Sequence, residues 1–175
     1  MKYDIFISYR REGGYDTAKH LYDMLTRDGY NVSFDIDTLR SGDFDEQLLK
    51  RIDECQDFVV VFNKTALDRC LDKSVDRKSD WLRNELAHAL KTNKNVIPIL
   101  ASDFEFPDNL PEDIAQVSKK NGVPYNKQDF DAMYRKIKEF LSSRPKRKIR
   151  KVLTIVFFVL LLLSFFFIYY FLKEL

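Results

Sequence analysis

Asp57-Phe-Val-Val-Val-Phe62 decides the fold: a short run of β-branched and aromatic residues, opened by an acid and closed by Asn63, which reads as a strand. Three more runs of the same kind flank it: Asp4-Ile-Phe-Ile-Ser8, Asn31-Val-Ser-Phe-Asp35 and Asn95-Val-Ile-Pro-Ile-Leu100. Between them the apolar spacing changes to three and four, with Ala18, Leu21, Tyr22 and Leu25, then Phe44, Leu48 and Ile52, then Leu82, Leu86 and Ala89. Each set puts one stripe on a helix. A weaker strand, Gly122-Val-Pro-Tyr125, precedes a helix carrying Phe130, Met133, Ile137 and Phe140, and Pro124 confines that strand to an edge. Strand and helix alternating in this way predict an α/β fold, flavodoxin-like, with a five-stranded parallel sheet covered by helices on both faces. Functional residues should gather at the carboxyl ends of the strands, near the switch in strand order. The stretch from Asn63 to Ser79 reads as a charged, unpatterned loop.

The 175 residues carry 29 Lys and Arg against 27 Asp and Glu, a balance that argues against a nucleic-acid binder. Charge is unevenly placed: residues 144–151 hold six of the bases and no acid, and the body before them is mildly acidic. That body has the size of one ordinary domain. Cys55 and Cys70 are too few for a disulfide framework, and no apolar signal stretch opens the sequence, so a reduced, cytosolic body is expected.

Val152 to Leu172 is a run of 21 residues without charge, Gly or Pro, long enough as a helix to span about 30 Å, the thickness of a bilayer core. The run is apolar all round, and Tyr169 and Tyr170 sit near one end, where interfacial aromatics belong. Six bases precede it and only Lys173, Glu174 and Leu175 follow, an asymmetry that keeps the N-terminal body cytoplasmic. The expected organisation is a domain over 1–142, a basic juxtamembrane linker over 143–151, a single-pass transmembrane helix over 152–172 and a tail over 173–175. The basic belt suits anionic membrane lipids better than nucleic acid.

G-x-G-x-x-G, G-x-x-x-x-G-K-[ST] and H-E-x-x-H are all absent, which removes the usual supports for dinucleotide redox chemistry, P-loop phosphoryl transfer and zinc proteolysis. His20 and His88 stand alone on predicted helices, as structural or solvent-facing histidines do, so no metal is expected. A phosphate-accepting receiver domain needs a carboxylate at the end of the third strand. Asn63 stands there instead.

Three stretches carry a resemblance. Tyr3-Asp-Ile-Phe-Ile-Ser-Tyr-Arg-Arg11 resembles the first strand of a Toll/interleukin-1 receptor (TIR) domain, and Phe34-Asp-Ile-Asp-Thr-Leu-Arg-Ser-Gly-Asp-Phe44 resembles its second strand and following loop. Asp80-Trp-Leu-Arg-Asn-Glu-Leu86 is similar to the W-x-x-x-E-L helix of NAD-cleaving members, especially bacterial ones. The resemblance covers residues 1 to about 142. It implies cleavage of the nicotinamide–ribose bond of NAD+, releasing nicotinamide and ADP-ribose or a cyclised product, with NAD+ as substrate and no cofactor.

Nicotinamide is a cationic leaving group, and the oxocarbenium-like transition state asks for a nearby carboxylate, so Glu85 is the catalytic candidate. Trp81 lies four residues earlier, on the same helix face, where its ring suits a cationic ring. By resemblance, Ser8, Tyr9, Arg10 and Arg11 line the nucleotide pocket, with Arg10 nearest phosphate or ribose. The stretch from Asp37 to Asp45 corresponds to the family's BB loop, which covers the pocket and mediates assembly, and Asp37, Gly42 and Asp43 are its substrate-binding candidates. Gly42 gives that loop its turn, while the proline often found there is absent. Self-association through TIR domains is implied as well.

Three functions follow. One is a membrane-anchored NAD+ glycohydrolase or cyclase in antiphage defence. Another is a noncatalytic adaptor that recruits other TIR domains. The third is a span that breaches the membrane on assembly, since Phe and Tyr supply 8 of its 21 residues.

Overall fold

Period-two alternation along buried strands sorts their side chains into two cores, one on each face of a sheet. The computed structural model describes residues 2–34, 44–126, 128–145 and 154–166. Its strands are β1 (Ile5–Tyr9), β2 (Val32–Phe34), β3 (Asp57–Phe62), β4 (Asn95–Leu100) and β5 (Val123–Pro124), all parallel, in the order β2-β1-β3-β4-β5. The helices are α1 (Arg11–Asp28), α2 (Phe44–Asp53), α3 (Asp68–Leu71), α4 (Trp81–Lys91) and α5 (Phe130–Phe140). Phe6, Phe58, Val60 and Phe62 face Leu48 and Ile52 of α2 and Leu82 and Leu86 of α4, with the Phe6 and Phe58 rings stacked 5.6 Å apart. Ile5, Ile7, Val59, Val61, Ile97 and Ile99 face Leu21 and Leu25 of α1 and Met133 and Ile137 of α5. Each fully buried side chain of this size contributes about 1.5–3 kcal/mol, which is why β3, apolar on both faces, takes the centre of the sheet.

The predicted helix stripes fall on these faces: Ala18, Leu21 and Leu25 of α1, and Leu82, Leu86 and Ala89 of α4, are all buried. α1 stops at Gly29, whose φ of 98° lets its N–H cap the carbonyls of Leu25 and Thr26. β5 is a two-residue edge that meets β4 only at Ile99 and Leu100. Pro98 sits one residue before that pairing, so its missing N–H costs β4 no bond to β5.

One expectation needs correcting. The stretch from Asn63 to Ser79 is no irregular loop, because Asp68–Leu71 forms the short α3 and Arg77–Ser79 a 3-10 turn, capped by Asp76 accepting from the Lys78 amide. Both elements are too short to show a periodic apolar stripe, so pattern reading misses them. The expected single-pass span is described only over residues 154–166, an exposed apolar helix of 13 residues. Among the described residues no helix is long and apolar enough to cross a membrane, and the rest of 152–172 lies outside them.

The chain leaves the domain through a tether. Asp57, fully buried at the start of β3, accepts from the backbone amides of Ser142 and Ser143, each at 2.9 Å, from Asn95 Nδ2 at 2.6 Å, and from the Ser143 hydroxyl. Leaving a buried donor unpaired costs about 1–3 kcal/mol, so Asp57→Ala should lower stability by about 3 kcal/mol or more. Asp57→Asn, which keeps one acceptor oxygen, should lose less. Thermal melts of the two variants followed by circular dichroism check the order.

Candidate functional site

β1 delivers Ser8, Tyr9 and Arg10 to its carboxyl end, beside β3, where the strand order reverses and a doubly wound sheet opens its crevice. Arg10 is buried, and its Nη2 lies 2.8 Å from Asp80 Oδ1 while its Nε donates to the Ala66 carbonyl at 3.2 Å. Asp80 is also the N-cap of α4, accepting from the Arg83 amide at 3.5 Å. One ion pair thus ties the end of β1 to the start of α4. Trp81 opens α4, and one turn later Glu85, 9% exposed, accepts a 2.5 Å hydrogen bond from the Ser8 hydroxyl.

Ser8, Arg10, Trp81 and Glu85 line a cavity of about 240 Å³ that also takes in Tyr9, Arg11, Leu48, Arg69 and Ser79. Ser8, Trp81 and Glu85 therefore meet, although 77 positions separate Ser8 from Glu85. Trp81 also lines a second, more open groove with His88, Lys91 and Asp113. The turn from β1 into α1 is set by Gly13, at φ 75°, where an added Cβ would come within 2.3 Å of Asn63 Nδ2. Asn63 in turn donates to the carbonyl of Glu12, a residue of the cavity lining, at 2.8 Å.

Arg10 was expected nearest phosphate or ribose. It does line the cavity, with its guanidinium held by Asp80 and by the Ala66 carbonyl. Asp37, Gly42 and Asp43 lie outside the described residues. Sequence reasoning gave no role to Asp80, although an acid directly before a helical stripe is an N-cap signal. It also passed over Arg69, which sits on α3 in the stretch read as unpatterned.

Neither cysteine offers a nucleophile. Burial pushes the Cys55 thiol up to about 12, and burial, with the neighbouring Asp80 carboxylate, pushes Cys70 to about 12 as well. His88 pairs with Asp53 of α2 at 2.7 Å, and His20 stacks on Phe130. Among the described residues no group of three or more His, Cys, Asp or Glu converges as metal ligands would.

A doubly wound parallel sheet with a carboxylate and an indole in a pocket at its switch point defines the class. Residues 5–138 match the family model described as TIR domain, and the chain belongs to the TIR domain family. It is similar to NAD(+) hydrolase tir-1 of Caenorhabditis elegans, 39% identical over 82% of this chain and 15% of that protein. It is also similar to NAD(+) hydrolase sarm1 of Drosophila melanogaster, 37% identical over 87% of this chain and 11% of that protein. The chain thus spans less than a fifth of either relative. Among solved structures, the TIR domains of the activated Roq1 resistosome align with a TM-score of 0.57 at 21% identity, covering 78% of this chain and 98% of that one, a likeness of fold.

The thiol assignment is open to a direct check. Ellman's reagent at pH 8 should leave both cysteines of the folded protein unmodified over minutes and should count two thiols once the protein is unfolded in guanidinium.

Proposed function

We propose that the chain cleaves the nicotinamide–ribose bond of NAD+, with Glu85 as the catalytic carboxylate. The observation that carries this reading is the buried Glu85 carboxylate, held by the Ser8 hydroxyl at 2.5 Å in a cavity that Trp81 also lines. The C–N bond breaks with its electron pair leaving on the nicotinamide nitrogen, which neutralises the ring's positive charge, so no strong general acid is needed. Positive charge then builds on the ribose, where a fixed anion in a partly dry site stabilises it. Ser8, by donating to one carboxylate oxygen, orients the other without neutralising it. Water, or an atom of the substrate itself, captures the ribose carbon, giving ADP-ribose or a cyclised product. Two relatives named NAD(+) hydrolase, each matched over more than four fifths of this chain, support the activity.

The same proposal places the domain on the cytoplasmic side of a membrane, anchored through residues 152–172, with the belt at 144–151 against anionic headgroups. The uncharged 21-residue run and the six bases before it support this. Self-association through TIR domains is part of the reading, and so is a role in antiphage defence of bacterial type, the latter resting on the W-x-x-x-E-L resemblance.

Glu85→Gln keeps shape and helix propensity and removes the charge. NAD+ turnover by the full chain in liposomes should fall by about a hundred- to thousandfold, since one such electrostatic contact typically supplies about 3 to 4 kcal/mol. Mass spectrometry of the products measures the loss, and an unchanged melting profile shows that the fold survives. Full turnover by the folded variant would remove Glu85 from catalysis. A wild type inactive even when clustered on liposomes would favour a noncatalytic adaptor.

A further inference from the structure

The cavity's cations are not equivalent. Arg10 is buried and neutralised by Asp80, whereas Arg11, on the first turn of α1, and Arg69, on α3, are exposed side chains lining the same cavity. Neither Arg11 nor Arg69 makes an ion pair or a side-chain hydrogen bond among the described residues. The lining is therefore polarised. A carboxylate and an indole lie at the buried side, and two uncommitted guanidinium groups stand at the solvent side, with Glu12 the acid beside them.

Size adds a constraint. At about 240 Å³ the cavity falls below the roughly 300–1,000 Å³ that encloses a drug-sized ligand. A dinucleotide is larger than this enclosed space. With its cationic ring toward Glu85, the linked phosphates fall at the rim, where free guanidinium groups give planar, paired N–H donors to phosphate oxygens.

We propose that Arg69, with Arg11, binds the pyrophosphate of the substrate, so that α3 supplies the specificity for a phosphorylated nucleotide over the bare nucleoside. This assignment rests on the NAD+ reading above. Arg69 recognises the anion and takes no part in bond cleavage, so its removal acts on binding.

The test compares the full chain in liposomes with Arg69→Ala and Arg69→Lys, using NAD+ and nicotinamide riboside as substrates and ADP-ribose as a calorimetric ligand. Arg69→Ala should raise KM for NAD+ about tenfold, the worth of one charge-assisted contact, with kcat within about twofold. Turnover of nicotinamide riboside, which has no phosphate, should not change between wild type and variant. Arg69→Lys should fall between, keeping the charge without the paired donors. An unchanged KM for NAD+ in Arg69→Ala, or an equal rise for nicotinamide riboside, overturns the assignment. Failure of the NAD+ reading shows separately, as a wild type without turnover. ADP-ribose then decides alone: binding that Arg69→Ala weakens about tenfold upholds the anion site, and no binding, or binding indifferent to Arg69, overturns it.

Discussion

The Arg10–Asp80 ion pair holds together the two elements from which the cavity is made. Its members are 2.8 Å apart, with side chains 10% and 2% exposed, so both charges have lost most of their water. In such a place attraction and desolvation nearly cancel, and the pair's net contribution to stability is small. Its geometric effect is large. Arg10 directly follows β1 and Asp80 caps α4, so fixing the two together fixes Ser8, two residues before Arg10, against Glu85, five residues after Asp80. The Arg10 contact to the Ala66 carbonyl extends the clamp to the chain just after β3. Without it, the 2.5 Å contact between Ser8 and Glu85 would depend on helix packing alone.

That dependence explains why the site was partly legible. The strands announced themselves because their residues are buried in runs, and the parallel pairing of the sheet followed from alternation with helices. Glu85 and Trp81 stood out as a helical pair, and Ser8 to Arg11 as the end of the first strand. The role of Arg10 was not legible, because a buried and an exposed arginine look alike in a sequence, and its partner lies 70 positions away. Arg69 was hidden differently. α3 has four residues, too few to display a stripe, and the charges around it gave no sign of which one turns toward the cavity.

Asn63 and Gly13 show a subtler limit. At the end of β3, where a receiver would carry its carboxylate, the sequence places Asn63. The structure gives Asn63 a replacement task, since its amide reaches the carbonyl of Glu12 across a gap that admits only a glycine at position 13. A carboxylate there would present no donor to that carbonyl.

The two ends of the parallel sheet carry different duties. The cavity lies at the carboxyl end of β1, whereas Ser142 and Ser143, the last residues before the basic belt, are bound to Asp57 at the amino end of β3. Parallel pairing of Ile5 with Asp57 and of Tyr9 with Val61 puts these features at opposite ends of adjacent strands. At about 3.3 Å per residue, four steps along β1 already separate them by roughly 13 Å, before the α4 residues that cover the cavity are counted. The chain therefore passes Ser142 and Ser143 at the end of the sheet away from the cavity.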